Sequence, residues 1–212
     1  MTTPRIKICG MKHNIREVAD LSPDYLGFIF YPGSPRDYSG EIPNLPGNIK
    51  KVGVFVNADI EHLVQLVTAY DLDRIQLHGE ESQEYCRKLK KSLEDDGLGE
   101  VLLWKVFRIK DHFDFERLKP YESFVEAFLF DTKGLTRGGT GQRFDWGILG
   151  EYPSDKPFIL SGGIGLNQVE EIKEILATDL PILGIDVNSM FEKEPGRKDI
   201  IKLKKFIHEL SC

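Results

Sequence analysis

Eight short apolar runs recur along this chain, and most of the segments between them switch to a helical period. The runs are RIKIC (5–9), YLGFIFY (25–31), KKVGVFV (50–56), DRIQLHG (73–79), EVLLWKVF (100–107), EAFLFDT (126–132), PFILSGG (157–163) and PILGIDV (181–187). They are largely continuous rather than alternating, which is the pattern of strands covered on both faces in a parallel sheet. Between them, ADIEHLVQLVTAY (58–70) puts Ile60, Leu63, Val64 and Val67 on one helical face. The closing DIIKLKKFIHEL (199–210) does the same with Ile200, Leu203, Ile207 and Leu210. IREVADL, EESQEYCRKLKKSL and NQVEEIKEIL read as further helices, and HFDFERLKPY as a weak one limited by its proline. Asn167 and Glu170 have the spacing of a capping box.

Eight strand-helix units in 212 residues predict a single-domain (β/α)8 barrel with short helices, spanning residues 1–212. An open doubly wound sheet is the rival. No linker, repeat or low-complexity stretch divides the chain. The net charge of −6 argues against nucleic acid as the main partner. No apolar stretch approaches the length of a membrane span, and the first residues lack the apolar core of a signal peptide. The three cysteines are far apart, with no CxxC pair, so neither a disulfide framework nor a zinc site is expected. A reducing cytoplasm fits this usage.

In such a barrel the active site lies at the carboxyl ends of the strands. The residues ending the runs are Cys9, His78, Asp131, Ser161 with Gly162 and Gly163, and Asp186. Cys9 and Asp131 are two proton-transfer candidates facing one mouth. Asp186 is a strand-end cap or a ligand contact, and it counts among the substrate-binding candidates. His78 is read as a hydrogen-bonding structural residue rather than a base. Arg36, in the loop after the second run, is either a solvated residue or a planar fork for a carboxylate. Cys86 and Cys212 are read as inert. GLTRGGTG (134–141) holds four glycines in eight residues and SGGIG (161–165) three in five. Glycines let backbone N–H groups approach an anion, and two such runs at one barrel end favour a phosphate ligand. No GK[ST] follows them, which excludes a P-loop, and no dinucleotide fingerprint follows the first strand.

The ordered set KICG, GFIFYPGSPRDYS, VGVFVN, QLHGEE, FDTKGLTRGGTGQRFDW, LSGGI and DVNSMFEKEPGRKD resembles the phosphoribosylanthranilate isomerases of tryptophan biosynthesis, from residue 6 to residue 205. The resemblance implies an Amadori rearrangement of N-(5-phosphoribosyl)anthranilate to 1-(2-carboxyphenylamino)-1-deoxyribulose 5-phosphate, without metal or cofactor. It implies Cys9 as general base and Asp131 as general acid. A working base and acid then need a lowered thiol pKa and a carboxyl raised by burial. It places Arg36 at the anthranilate carboxylate and the phosphate near Gly139, Gly162, Gly163 and Ser189. It further implies a cytoplasmic monomer or homodimer acting on a small phosphorylated molecule. The sequence departs from the family after the eighth strand, where Ser189 is followed by Met190 rather than glycine and Asn188 replaces a common serine. A histidine-pathway barrel would use an aspartate where Cys9 stands, and a non-catalytic phosphate-binding barrel would need neither Cys9 nor Asp131.

Overall fold

A computed structural model describes residues 4–110, 112–132 and 145–211. Eight parallel strands close into a barrel in chain order: β1 (Arg5–Ile8), β2 (Tyr25–Phe30), β3 (Lys50–Phe55), β4 (Arg74–Leu77), β5 (Leu102–Ile109), β6 (Ala127–Thr132), β7 (Phe158–Leu160) and β8 (Ile182–Val187). β8 pairs with β1 over Arg5–Ile8, which closes the ring. The expected (β/α)8 barrel is the observed one. The open sheet is excluded by that last pairing.

The barrel's outer wall is thinner than eight full helices. Five α-helices are present among the described residues: α1 (Ile15–Ala19), α2 (Ile60–Tyr70), α3 (Gln83–Asp95), α4 (Val169–Leu176) and α5 (Ile200–Ser211). α2 begins where Asp59 accepts hydrogen bonds from the Glu61 and His62 N–H groups, and α3 where Ser82 accepts from Tyr85. Leu63, Val64 and Val67 of α2 are buried, as their spacing predicts. The segment between β2 and β3 has no helix, because Pro32, Pro35, Pro43 and Pro46 interrupt it repeatedly. After β5, Pro120 lies in a 3-10 helix (Phe115–Tyr121) rather than an α-helix. The capping box expected at Asn167 does not form. Gln168 Oε1 instead accepts from the Gly165 N–H at 2.9 Å, a 3-10 turn spans Leu166–Gln168, and α4 starts one residue later.

One element went unforeseen. After β8 the chain makes a 3-10 turn (Ser189–Phe191) and then a small antiparallel hairpin, β9 (Glu192–Glu194) and β10 (Arg197–Lys198). Gly196, with φ +85°, supplies the left-handed residue in its bend.

Two apolar regions hold the fold. Tyr25, Val52, Trp104, Val106, Ala127, Leu129 and Ile159 pack together. Their alternation along each strand marks them as the barrel interior. The larger cluster lies between the strands and the outer layer. The interior also carries charge. At one end, Glu126 accepts two hydrogen bonds from Arg74 and one from the Trp104 indole at 2.8 Å. At the other end, the carboxyl ends of the strands, the charged groups gather more densely.

Candidate active site

Alternation along β1 turns Arg5, Lys7 and Cys9 to the same face, and this sets the first half of the site. Cys9 follows the strand and extends its ladder by donating its N–H to Val187 O at 2.9 Å. It is 4% exposed. Lys7 lies one layer deeper, 1% exposed, and its Nζ is 2.8 Å from Asp186 Oδ1 on β8. The Lys7 ammonium and the Cys9 sulfur face the same space above Gly27, and the ammonium acts on the sulfur as a nearby positive charge. Asp186 accepts from Ser161 Oγ at 3.3 Å through its other oxygen. The strand-end aspartate is thus tied on both oxygens to protein groups. Gly27 on β2 makes the room: a β-carbon there would stand 2.8 Å from Cys9 Sγ and 3.1 Å from Lys7 Nζ.

The electrostatics of Cys9 reverse one expectation. Burial pushes its thiol up, and the Lys7 ammonium opposes this without cancelling it. The thiol therefore stands above its ordinary value, not below. For Lys7, burial works against the charge, but Asp186 and Cys9 outweigh it and hold the ammonium protonated. Cys86 on α3 is pushed up to about 11 by burial, in keeping with an inert thiol. Cys212 lies outside the described residues.

The second half of the site comes from β4 and β6. His78 Nε2 is 3.3 Å from Asp131 Oδ2, and its Nδ1 is 3.1 Å from Gln76 Nε2. His78 therefore bridges the β4 strand to the Asp131 carboxyl, the hydrogen-bonding role its position suggests. The Asp131 side chain is 19% exposed, so the burial expected of it is incomplete. Arg108 at the end of β5 stands in register with Asp131 and donates to the His78 carbonyl at 3.3 Å.

Arg36 is held rather than solvated. Its Nε lies 2.9 and 3.0 Å from the two Glu192 carboxylate oxygens and its Nη2 2.6 Å from Oε2. Glu192 also accepts from Lys198 Nζ at 2.8 Å, and that ammonium in turn reaches Asn188 Oδ1 at 2.8 Å. Asn188, where the family often has serine, thus serves a fully buried cation. Gly10, with φ +72°, lets the β1 loop pass close by, since a β-carbon there would stand 2.7 Å from both Arg36 Cδ and Asn188 Oδ1. The Nη1 end of Arg36 donates to no acceptor among the described residues.

Gly162 and Gly163 follow β7 with φ of +87° and +67°. Glycine takes this left-handed region without the steric cost a side chain would carry. Ser189 opens the 3-10 turn after β8, and Met190 lies within it, so residue 190 does not take the positive φ a glycine would allow. The Met190 side chain is 43% exposed and crosses towards Gly165 of the neighbouring loop. Gly139 lies outside the described residues.

A thiol, a carboxyl and a cluster of cations on one barrel rim fit an isomerase of phosphorylated sugars, and the comparison with known proteins decides which. The sequence profile described as PRAI, N-(5'phosphoribosyl)anthranilate (PRA) isomerase, matches residues 6–209. The chain belongs to this family. It is 45% identical to the N-(5'-phosphoribosyl)anthranilate isomerase of Parabacteroides distasonis, covering 97% of this chain and 92% of that one. It is 39% identical to that of Phocaeicola vulgatus, with 97% of each chain covered. Among solved structures, the phosphoribosylanthranilate isomerase of Thermotoga maritima superposes with a TM-score of 0.80 at 31% identity, over 98% of both chains. As a member of the PRAI family the protein catalyses the Amadori rearrangement of phosphoribosylanthranilate in tryptophan biosynthesis.

Sequence reasoning missed Lys7, Gly27, Arg108, Glu192 and Lys198 at this site. A signal existed for Lys7 and Arg108: each is a charged residue near the carboxyl end of a mostly apolar strand, where the active site of such a barrel lies. For Glu192 and Lys198 there was none, because their hairpin is folded back by tertiary contacts alone.

Proposed function

We propose that the isomerisation is carried by Cys9 as general base and Asp131 as general acid, within one catalytic unit formed by the whole barrel. The supporting observation is that β1 and β6 deliver a buried thiol and a partly buried carboxyl to the same rim, with Asp186 within electrostatic reach of both. Asp131 gives its proton to the furanose ring oxygen. The C1–O bond breaks and the nitrogen lone pair forms an iminium at C1. The Cys9 thiolate then takes the C2 proton, and the C–H electron pair becomes the C1=C2 bond of an enaminol. Protonation at C1 and loss of the O2 proton yield the ketone.

The anions of the substrate have cations and backbone donors to meet. In this reading Arg36 receives the anthranilate carboxylate at its Nη1 end while Glu192 holds its other edge. The phosphate rests on backbone N–H groups near Gly162, Gly163 and Ser189, with Gly139 and Asp186 completing the binding set. One neighbouring phosphoribosylanthranilate isomerase, 29% identical, was solved with reduced 1-(o-carboxyphenylamino)-1-deoxyribulose 5-phosphate, which carries the same carboxylate and phosphate. No described helix is long and apolar enough to cross a membrane. We place the enzyme in the cytoplasm as a monomer or homodimer. A Thermotoga maritima structure is of monomers generated from a dimeric phosphoribosylanthranilate isomerase.

The test is loss of the fluorescent anthranilate substrate with purified variants. Cys9→Ser and Asp131→Asn should fold normally and each lower kcat by at least about 10²-fold. Near-full turnover in either variant would remove that residue from its role.

A further inference from the structure

The buried Lys7–Asp186 pair sits directly beneath the reacting thiol. A buried ion pair is weak evidence for a stabilising role, since two charges taken from water cost several kcal/mol each before they attract one another. An apolar pair could fill that space, as Val52, Val106 and Ile159 do elsewhere in the interior. The pair's position offers a reason for its presence. An ammonium has three N–H donors and no acceptor. One Lys7 donor is spent on Asp186 Oδ1 at 2.8 Å, which leaves two, and the ammonium shares with the Cys9 sulfur the space that a β-carbon on Gly27 would fill, 3.1 and 2.8 Å from that point. Asp186 is itself fixed by Ser161, so the Lys7 side chain has little freedom to turn away.

From this geometry we propose that Lys7 is a positioning residue of the isomerisation: anchored by Asp186, its ammonium donates to the Cys9 sulfur and stabilises the thiolate that removes the C2 proton. Lys7 remains protonated throughout. The proton taken from C2 ends on sulfur, and the N–H···S contact weakens as the sulfur becomes neutral. The other charged groups acting on Cys9 do not replace this donor. Asp186 on β8 opposes the thiolate, and the Lys198 ammonium on β10 is already bound by Glu192 and Asn188. His78 on β4 and Asp131 on β6 act on Asp186 and pair with one another. Arg36 packs over Gly10 but is turned to Glu192.

The inference rests on Cys9 being the base, so the test reads the thiol apart from turnover. The ultraviolet absorbance of the thiolate is followed against pH as the difference between the protein and its Cys9→Ser variant, which isolates Cys9 from Cys86 and Cys212. In Lys7→Met this titration should move upward by at least about one pH unit, or about tenfold less thiolate at a fixed pH. The alkaline-rising limb of kcat should move with it. A uniform fall in kcat with an unmoved titration would make Lys7 merely structural and overturn the proposal. If Lys7→Met fails to fold, Lys7→Met/Asp186→Asn removes both buried charges together, and the upward shift is again expected. Independently, the Lys7 Nζ resonance of isotope-labelled wild-type protein should shift at the Cys9 titration point and stay flat in Cys9→Ser. A flat Lys7 signal in the wild type sinks the idea. Full turnover by Cys9→Ser would instead overturn the base assignment and leave the Lys7–Cys9 coupling to be judged by its own titration.

Discussion

Arg36 and Glu192, 156 positions apart in the chain, form a bidentate ion pair with both side chains largely buried. The loop after β2 is thereby clamped to the hairpin after β8, over the β1 loop at Gly10 that lies between them. The clamp fixes one edge of the guanidinium and leaves its far end directed by that constraint.

Loosening the clamp should therefore be felt in substrate binding. Glu192→Gln should raise KM by about tenfold with kcat changed less than about threefold, because a positioned binding group is lost and the proton-transfer groups are kept. Arg36→Lys should bind substrate no better than Arg36→Ala, within about threefold, since an ammonium cannot serve two carboxylates in planar geometry. Steady-state kinetics with the fluorescent substrate decide both. An unchanged KM in either variant would show that the anthranilate carboxylate is held elsewhere.

The same pair sets an acid limit on stability. Burial pushes the Glu192 carboxyl up, but Arg36 and Lys198 outweigh it, so it titrates below the usual carboxylate range. A depressed carboxyl contributes stability above its unfolded value of about 4.3, and that contribution is lost as pH falls through the folded value. The stability gap between wild type and Glu192→Gln should then be widest near neutrality and shrink in acid below about pH 4. Urea denaturation across the acid range measures it. A gap constant with pH would mean the carboxylate charge is not what stabilises.

The raised Cys9 thiol gives the opposite sign for catalysis. If Cys9 is the base, as proposed, its active form is the thiolate, so kcat should climb with pH beyond neutrality, towards and past the ordinary thiol value of about 8.5. A profile already flat from pH 6 upward would show that a bound substrate lowers the thiol, or that Cys9 is not the base.

Gly27 predicts a sharp steric effect. In Gly27→Ala the new methyl would crowd Cys9 Sγ at 2.8 Å and Lys7 Nζ at 3.1 Å. Shifting two buried side chains costs about 1–3 kcal/mol and misplaces the proposed base. We expect a folded protein with a lowered melting temperature and kcat reduced by about tenfold or more. Wild-type kinetics in this variant would mean that the thiol position is not critical.

A second buried pair supports the β4 loop from outside the barrel. Lys105 Nζ lies 3.1 Å from Glu81 Oε2 and donates to Gly79 O at 2.9 Å, while Glu81 accepts from the Asn57 and Gly79 N–H groups. Lys105→Met leaves Glu81 charged and buried without its partner, which should cost about 3–5 kcal/mol. Lys105→Met/Glu81→Gln should recover part of that loss. Chemical denaturation of the three proteins tests the coupling. A single variant as stable as wild type would show that water reaches Glu81.

The sequence by itself determined a parallel sheet of eight strand-helix units and which polar residues stand near its strand ends. Eight continuous apolar runs with helical segments between them leave two ways to cover a parallel sheet, the closed barrel and the open sheet, and the β8–β1 pairing selects the barrel. Cys9 and Asp131 were legible because each ends a strand, and strand ends share one rim in this fold. The helices were less legible where proline competes with helical period, as between β2 and β3 and after β5, and at α4, where Gln168 rather than Asn167 closes the first turn. What only the tertiary structure decided is which charged groups meet. Lys7 with Asp186, Arg36 with Glu192 and Lys198 with Asn188 are joined by barrel closure and by the hairpin after β8. Such pairs depend on distances between side chains far apart in the chain, and no local period or propensity encodes them. The direction of the Cys9 thiol likewise follows from burial against one nearby ammonium, a balance that exists only once β1, β2 and β8 are side by side.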